Sequence, residues 1–385
     1  MNSDRQTVTV LHVASFSGNS GDLANHLGFR KWFENILGRP IQWVELEIRD
    51  YYRKLWQFDD SFIDLSNNSD LIVFGGGNYL ELWPEHSSSG TSIDLLPEQY
   101  RRIRTPIFFN ALGVDAAQGI SLNASKRFPE FLDYVLNSET CFLSVRNDGS
   151  LTELSNFLSP SEINEVTLLP DAGFFLDTPS FESKRENIIA INLACDMPEI
   201  RFKRNNSLEF ARYMASEVEK FLIDFDEFGV NLIPHVFSDV AIISEFLSFL
   251  PDSLRRSRVQ IAKYAPGQNG VADTISAYSI SKAVLGMRFH SSVIPNGMGI
   301  PTVGISTYAQ ISKLYSELKL ENFLITELPS TQISTPIGNK LREVLTYSPK
   351  ILSQFSDAAS LVSYQRKLAA IEIKRWLSQF PNICS

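Results

Sequence analysis

Residues 7–37 read TVTVLHVASFSGNSGDLANHLGFRKWFENIL, and this stretch contains the repeating unit of the fold. The first part, TVTVLHVA, is a run of β-branched and apolar residues typical of a buried parallel strand. The middle part, SFSGNSGD, is small and polar. The last part places apolar residues at helical spacing, and Gly38 and Pro40 end the pattern. The stretch therefore predicts a strand, a glycine-containing turn and a helix.

The same unit recurs along the whole chain. Further strands are predicted at residues 41–46, 70–75, 106–112 and 141–145, with a helix at 125–136. A polar stretch at 177–187 is the predicted linker. Beyond it, strands are predicted at 187–194, 229–235, 259–262, 283–287 and 301–305, and helices at 208–228, 239–249, 271–281, 293–298 and 350–380.

These patterns predict an α/β fold with two Rossmann-like domains that face each other across a cleft. The predicted N-terminal domain is residues 1–178, the C-terminal domain is 186–345, and a helical segment at 346–385 packs back across their junction. Parallel sheets bind ligands at the carboxyl ends of their strands, so we expect the site there.

Composition excludes several classes of protein. The 385 residues include 35 Lys and Arg against 44 Asp and Glu, a net charge of −9, so binding to nucleic acid is not expected from the whole molecule. No stretch resembles a signal peptide or a membrane span, which predicts a cytoplasmic location. The three cysteines form no CxxC, and buried structural thiols are expected rather than a disulfide framework.

Two glycine-containing loops follow predicted strands. The first, GNSGD at residues 18–22, is neither a Walker loop nor a GxGxxG motif, but its backbone amides suit an anion or an oxyanion. Asp22 is interpreted either as a helix N-cap or as a site residue. The second loop is FGGGN at 74–78. Its glycines, which have no side chains, leave the backbone accessible beside Asn78 at the ligand-binding edge of the sheet.

Two strand ends carry arginine. Arg146 follows the strand at 141–145, where it could hold a carboxylate or phosphate or form a surface ion pair with an acid such as Asp148 or Asp171. Arg288 and His290 lie in GMRFH at 286–290 and would point to the same side of an extended segment. A cation and an imidazole at a helix start favour an anion site with proton transfer, against the alternative of a histidine bonded to backbone.

Other catalytic patterns are missing from the sequence. It contains no HExxH pair, no acidic cluster at metal-ligand spacing and no GxSxG nucleophile elbow. We therefore predict no metal and no α/β-hydrolase chemistry.

Six motifs, taken in order, resemble those of the polysaccharide pyruvyl transferase family. They are GNSGD (18–22), FGGGN (74–78), SVRN (144–147), PDA (170–172), GMRFH (286–290) and GIPTV (299–303), followed by Tyr308 and Lys313. The resemblance implies a fold like that of GT-B glycosyltransferases. It also implies transfer of the pyruvyl group of phosphoenolpyruvate onto two hydroxyls of a sugar, which forms a cyclic ketal. The N-terminal domain would then be the acceptor side and the C-terminal domain the phosphoenolpyruvate side.

Carried over to these motifs, the resemblance implies catalytic roles for His290, Asp22 and Arg288. His290 would act as general acid or assist phosphate departure, Asp22 would act as base, and Arg288 with Arg146 would stabilise developing charge. Which of His290 and Asp22 is acid or base stays open. The residues predicted to bind substrate are Arg146, Asn19, Ser20, Gly21, Gly76, Gly77, Asn78, Phe289, Ser291 and Lys313.

The chain departs from the family pattern mainly on the predicted acceptor side. Relatives often have an acid where this chain has Asn147, and ALGVDA at 111–116 replaces a more glycine-rich continuation.

The partners implied are phosphoenolpyruvate as donor substrate, no cofactor, and a sugar or glycan acceptor in polysaccharide or exopolysaccharide synthesis. A lipid-linked acceptor would bring the enzyme to the membrane surface. The alternative is a GT-B glycosyltransferase that uses a nucleotide sugar. Such enzymes commonly bind ribose through a Glu, which GISTYA at 304–309 lacks. A non-catalytic glycan-binding protein is a second alternative.

Overall fold

A computed structural model describes residues 7–176, 185–202, 207–326 and 337–384. Most of the predicted linker, residues 177–184, lies outside them. The chain divides into two compact units that are not consecutive in sequence. The first unit comprises Met1–Phe16, His26–Ala172 and Ser363–Ser385, and the second comprises Ser17–Asn25 and Gly173–Val362. The short segment that contains Asp22 therefore belongs to the second unit.

The first unit is built on a six-stranded parallel sheet. Its strand order is β2-β1-β3-β5-β7-β8, and β4 pairs in parallel with β6 beside it. The chain moves from β1 to β2 on one side and then to β3 on the other, so the sheet changes direction between β1 and β3. The strands are β1 Val8–Ala14, β2 Ile41–Glu47, β3 Leu71–Gly75, β4 Leu80–Glu81, β5 Ile107–Leu112, β6 Val114–Asp115, β7 Cys141–Val145 and β8 Thr167–Leu168.

Helices cover this sheet, and aromatic side chains fill much of the core. Both β3 and β5 are buried along their whole length, and the rings of Phe74 and Phe109 stack at 5.6 Å between centroids. The helices are α1 Ser20–Leu37, α2 Ile48–Tyr52, α3 Asp60–Asn67, α4 Pro97–Arg102, α5 Leu122–Leu136, α6 Ser150–Leu154 and α7 Pro160–Ile163. The residues of α1 up to Asn25 group with the second unit.

The second unit contains another six-stranded parallel sheet, in the order β11-β10-β9-β12-β13-β14. Its first strand is central, and the chain returns to the other side of that strand at β12, which is the Rossmann order. The direction therefore changes between β9 and β12. The strands are β9 Ile188–Ile191, β10 Gly229–Leu232, β11 Val259–Ile261, β12 Ala283–Gly286, β13 Thr302–Ile305 and β14 Leu324–Ile325.

The remaining helices follow in chain order. They are α8 Pro198–Arg201, α9 Ser207–Asp224, α10 Asp239–Phe249, α11 Asp252–Arg258, α12 Gly267–Ser279, α13 Phe289–Gly297, α14 Ala309–Glu317, α15 Ile337–Leu345, α16 Pro349–Leu377 and α17 Pro381–Cys384. Among the described helices, none has both the length and the apolar character needed to cross a membrane.

The structure confirms the predicted strands and corrects one helix. β1, β3, β5 and β7 fall inside the predicted ranges, as do all the strands of the second unit except β14. The strands that sequence reasoning missed (β4, β6, β8 and β14) have two residues each, too few to show a periodic pattern. Helix α13 begins at Phe289 rather than at residue 293. The GMRFH stretch therefore turns into a helix before it reaches His290.

Candidate active site

The loop before α1 is held by the second unit. Asn19 pairs with Val236 in an antiparallel bridge, and the Ser20 amide donates to the His235 carbonyl oxygen at 3.0 Å. The Asn19 side-chain oxygen accepts the Gly21 amide at 2.9 Å, so Asn19 caps α1. Asp22 lies in the first turn of α1 instead. The interpretation of Asp22 as the N-cap was therefore wrong.

His290 packs directly on this helix start. A methyl group on Gly21 would lie only 2.6 Å from His290 Cβ and 2.7 Å from Nδ1, so glycine is required for the approach. His290 Nδ1 lies 3.8 Å from Asp22 Oδ1. The His290 side chain is buried, and that of Asp22 is 16% exposed. The structure thus brings together GNSGD and GMRFH, two motifs that are far apart in sequence.

A hydroxyl closes the turn between β12 and α13. Arg288 donates its amide to Ser291 Oγ at 3.0 Å, and the Ser291 hydroxyl donates to the Arg288 carbonyl at 2.6 Å. Arg288 has extended backbone angles, whereas His290 is already helical. The expectation that Arg288 and His290 share one side of an extended segment was therefore wrong. Ser291 is fully buried in this turn, and its predicted contact with substrate stays a prediction.

The Arg288 guanidinium binds two carboxylates. Its Nε donates to Asp239 Oδ2 at 2.8 Å, and its NH2 donates to Asp196 Oδ1 at 2.8 Å. Burial works against the charged form of Arg288, but the hydrogen bonds and charges of Asp239 and Asp196 outweigh it and raise its pKa. Arg288 follows β12 and Asp196 follows β9 by a few residues, so this ion pair sits where the sheet changes direction.

Arg201 extends the network on the other side of Asp196. Its Nε donates to Asp196 Oδ1 at 3.1 Å, and its NH1 donates to the Thr307 hydroxyl at 2.9 Å. Sequence reasoning missed Asp196, Arg201 and Asp239. A signal was present, because Asp196 and Asp239 each follow a predicted strand by a few residues. The two arginines and two aspartates alternate, and their formal charges cancel.

His235 connects the network to the Gly21 loop. Its amide donates to Asp239 Oδ2 at 2.9 Å, and its ring Nε2 lies 2.7 Å from the Tyr278 hydroxyl. The ring is fully buried, and burial lowers the pKa of His235 far below its ordinary value, with Arg288 and His290 adding to the effect. His235 is therefore neutral at pH 7 and holds the loop through its backbone.

Three other predicted residues of the second unit lie on the same elements. Ser20 is buried, and its hydroxyl has no hydrogen-bond partner among the residues that the structure describes. The ring of Phe289 lies 5.4 Å from that of His290, and Lys313 is half-buried on α14. A buried hydroxyl without a partner costs free energy, which suits a group that a ligand completes.

Arg146 lies in the first unit and is also paired with carboxylates. Its NH2 lies 2.7 Å from Asp148 Oδ2, its NH1 lies 3.5 Å from Asp171 Oδ2, and all three side chains are at most 3% exposed. The pKa of Asp148 is raised overall, because burial outweighs the opposing effects of Arg146 and the Ser150 hydroxyl. The alternative of an ion pair with Asp148 or Asp171 is confirmed, although the pair is buried rather than at the surface.

Asn78 and Arg146 meet at Gly113. A methyl group on Gly113 would lie 2.4 Å from Asn78 Oδ1 and 2.8 Å from Arg146 NH2, so only glycine fits between them. Asn78 Nδ2 donates to Asp115 Oδ2 at 2.7 Å. Of the predicted glycines, Gly77 contributes its carbonyl oxygen to the Gly113 amide at 2.9 Å. The predicted site residues thus form two groups, one in each unit.

Glu81 is a further titratable group of the first unit that sequence reasoning did not single out. It pairs with Asp115 across β4 and β6, and its carboxylate accepts the Ser92 hydroxyl. The pKa of Glu81 is raised to about 7, mainly by burial and also by the charge of Asp115. The Ser92 hydrogen bond and the charge of Arg49 lower it in part.

The sequence pattern of the polysaccharide pyruvyl transferase family matches residues 19–308. The chain belongs to that family. The matched region begins at Asn19, the cap of α1, and includes both Asp22 and His290. No curated protein sequence matches this pyruvyl transferase.

Solved structures that resemble this pyruvyl transferase establish its fold as GT-B-like. S. aureus MnaA in its UDP co-structure has a TM-score of 0.52 at 9% identity and covers 96% of this chain and 97% of its own. The UDP-GlcNAc 2-epimerase of Neisseria meningitidis bound to UDP-GlcNAc has a TM-score of 0.50 at 10% identity, with 95% and 100% covered. Arabidopsis thaliana UGT89C1 complexed with UDP-L-rhamnose has a TM-score of 0.50 at 11% identity, with 99% and 100% covered.

The family assignment makes this pyruvyl transferase an enzyme of polysaccharide synthesis. Within its described residues, no group of three His, Cys, Asp or Glu side chains could hold a metal ion. Independence from metals and cofactors, a cytoplasmic location and the role of each site residue stay predictions.

Proposed function

We propose that the protein transfers the pyruvyl group of phosphoenolpyruvate to two hydroxyls of one sugar, forms a cyclic ketal and releases phosphate. The observation that carries this proposal is the contact of His290 with Gly21 and Asp22. It joins an imidazole and a carboxylate at the N-terminal ends of α1 and α13. Helix N-termini favour anions, and phosphoenolpyruvate is an anion through both its phosphate and its carboxylate.

The reaction needs one proton donor and one proton acceptor. A proton adds to the methylene carbon of phosphoenolpyruvate, and the first sugar oxygen bonds to the neighbouring carbon. The bond from that carbon to the phosphate oxygen then breaks, and the second sugar oxygen takes its place. One hydroxyl proton ends on the new methyl group and the other on phosphate, so the atoms balance.

His290 and Asp22 suit these two steps. We assign proton delivery to His290, because an imidazole exchanges protons near neutral pH. We assign activation of the sugar hydroxyl to Asp22, because a carboxylate accepts a hydrogen bond from that hydroxyl. Nδ1 and Oδ1 are 3.8 Å apart, so the two groups lie beside each other at the start of α1.

The other residues of the second unit would bind and orient. The Ser20 hydroxyl, which lacks a partner among the described residues, would donate to a phosphate oxygen. Arg288 would act mainly through position, since Asp239 and Asp196 already accept hydrogen bonds from it. Lys313 stays a proposed phosphate contact. Arg146 and Asn78 stay proposed acceptor contacts of the first unit.

The test compares wild-type protein with His290→Ala and His290→Gln. Each is incubated with phosphoenolpyruvate and a panel of glycosides, and phosphate release is measured with the mass gain of a pyruvyl ketal. We expect each variant to lose about 10²- to 10⁴-fold in kcat, the usual contribution of a general acid. His86→Ala, at an exposed histidine of the first unit, is the control and should retain full activity.

Two results would contradict the proposal. Near-wild-type turnover in a folded His290→Ala variant would exclude His290 as the proton donor. Turnover with a nucleotide sugar, but none with phosphoenolpyruvate, would favour a GT-B glycosyltransferase instead.

A further inference from the structure

The Phe237 ring is exposed to an unusual degree. Its exposed fraction is 75%, the largest of any Phe, Tyr or Trp in the part of the chain that the structure describes. Isolated exposed apolar residues are common at protein surfaces, so exposure alone does not indicate a function. The position of Phe237 next to the Gly18–Asp22 loop is what distinguishes it.

A second aromatic ring lies beside Phe237 and contacts the same loop. The ring centroids of Phe237 and Tyr264 are 6.1 Å apart, with 57° between their planes. The Tyr264 hydroxyl donates to the carbonyl oxygen of Gly18 at 3.3 Å. The two rings therefore form a small aromatic surface beside Gly18, at the start of the segment that leads to Asp22.

The backbone on which Phe237 stands is fixed from both sides. Its neighbour Val236 forms the antiparallel bridge with Asn19. Asp239, two residues later, accepts the amide of Val236 at 3.2 Å and also binds Arg288. The backbone that carries the ring is therefore held in place, which lowers the entropy lost when a ligand binds.

We propose that Phe237 and Tyr264 form an aromatic subsite that stacks against the apolar face of the acceptor sugar ring. The C–H groups on one face of a pyranose carry partial positive charge and suit the electron-rich face of an aromatic ring. The subsite borders Gly18 and Asn19, which lead into the first turn of α1, where Asp22 lies. Asp22 is the residue to which we assign activation of the sugar hydroxyl. The inference rests on the proposed function for the identity of its ligand, but binding can be measured without turnover.

The test is sugar binding by saturation-transfer NMR without phosphoenolpyruvate. The probes are methyl β-D-glucopyranoside and methyl β-D-galactopyranoside. We expect saturation transfer mainly to the C–H protons of one ring face. In Phe237→Ala we expect about a 10-fold rise in Kd, in line with the contribution of an aromatic contact. Phe237→Trp should keep the Kd within about threefold, because indole preserves the stacking face.

Leu208→Ala is the matched control. Leu208 is an exposed apolar residue of the same unit, on α9, and its removal should leave the Kd for both glycosides unchanged. Steady-state kinetics should then show a higher KM for the acceptor in Phe237→Ala, with the KM for phosphoenolpyruvate and kcat nearly unchanged.

Several results would overturn the inference. An unchanged Kd in Phe237→Ala, no saturation transfer from wild-type protein to either glycoside, or a change in oligomeric state on loss of Phe237 would each do so. Binding that depends on Phe237, without any pyruvyl transfer, would support the subsite and contradict the proposed reaction. The two failures are therefore distinguishable.

Discussion

Replacement of Gly21 by alanine should displace His290 and reduce catalysis. The added Cβ would lie 2.6 Å from His290 Cβ and 2.8 Å from Cγ, whereas ordinary contacts begin at 3.4 Å. The ring or the start of α1 must therefore shift by about 0.8 Å. A misplacement of about 1 Å in a reacting group can cost about 100-fold in rate, so we expect kcat/KM to fall about 100-fold.

Gly21→Ala must be separated from a loss of folding. Strain of this kind costs about 1–3 kcal/mol, which thermal denaturation would detect as a modest drop in Tm. The matched control is Gly338→Ala on α15, where the nearest atom, Arg342 NH1, lies at an ordinary 3.4 Å. Activity is followed as phosphate release together with ketal mass. Near-wild-type kcat/KM in a folded Gly21→Ala variant would refute the argument that His290 must occupy this position.

Two further substitutions probe ionisable side chains that are wholly or partly buried. Asp239→Asn leaves Arg288 with Asp196 as its carboxylate partner. We expect urea denaturation to show that the free energy of unfolding falls by about 3–5 kcal/mol, and a fall below about 1 kcal/mol would contradict this. The control is Asp252→Asn, at an exposed aspartate. Glu81 has a pKa raised to about 7 in the folded protein, so its contribution to stability is present below the unfolded pKa and is lost as pH rises through about 7. Glu81→Gln should therefore gain about 3 kcal/mol relative to wild type between pH 4.5 and pH 8. Equal curves of unfolding free energy against pH would refute the raised pKa of the half-buried Glu81.

The strands were predictable because their signal is local. Runs such as residues 7–14 and 283–287 are apolar on both faces, and a parallel sheet covered on both sides requires that composition. Their ends were predictable to within a few residues. The two-residue strands were not, because pairing with a neighbouring strand, rather than sequence, defines them.

The residues of the candidate site could be singled out from the sequence one by one, but the contacts between them could not. GNSGD and GMRFH each stood out through glycine, a charged side chain and a strand end. That Gly21 receives the His290 ring depends on the path of the chain between the motifs. Asp196 and Asp239 were missed because a single aspartate after a strand or at a helix start is common, and only the position of Arg288 gives it meaning.

Charge balance limits how this site can attract an anion. The chain has a net charge of −9, and in the second unit the charges of Arg288 and Arg201 are balanced by Asp239 and Asp196. Those arginines therefore contribute little net positive potential, and their main effect is to fix the β12–α13 turn and the loop from His235 to Asp239.

The N-terminal ends of α1 and α13 are a different source of positive potential. Each contributes roughly half a positive charge, and the Asp22 carboxylate lies in the first turn of α1. Because Gly21 lets these two ends approach, the fold concentrates their potential at one point, beside the Ser20 hydroxyl. On this reasoning we expect an anionic donor to bind where the helices begin, and we expect the arginine network to determine the orientation of the helix ends rather than their charge.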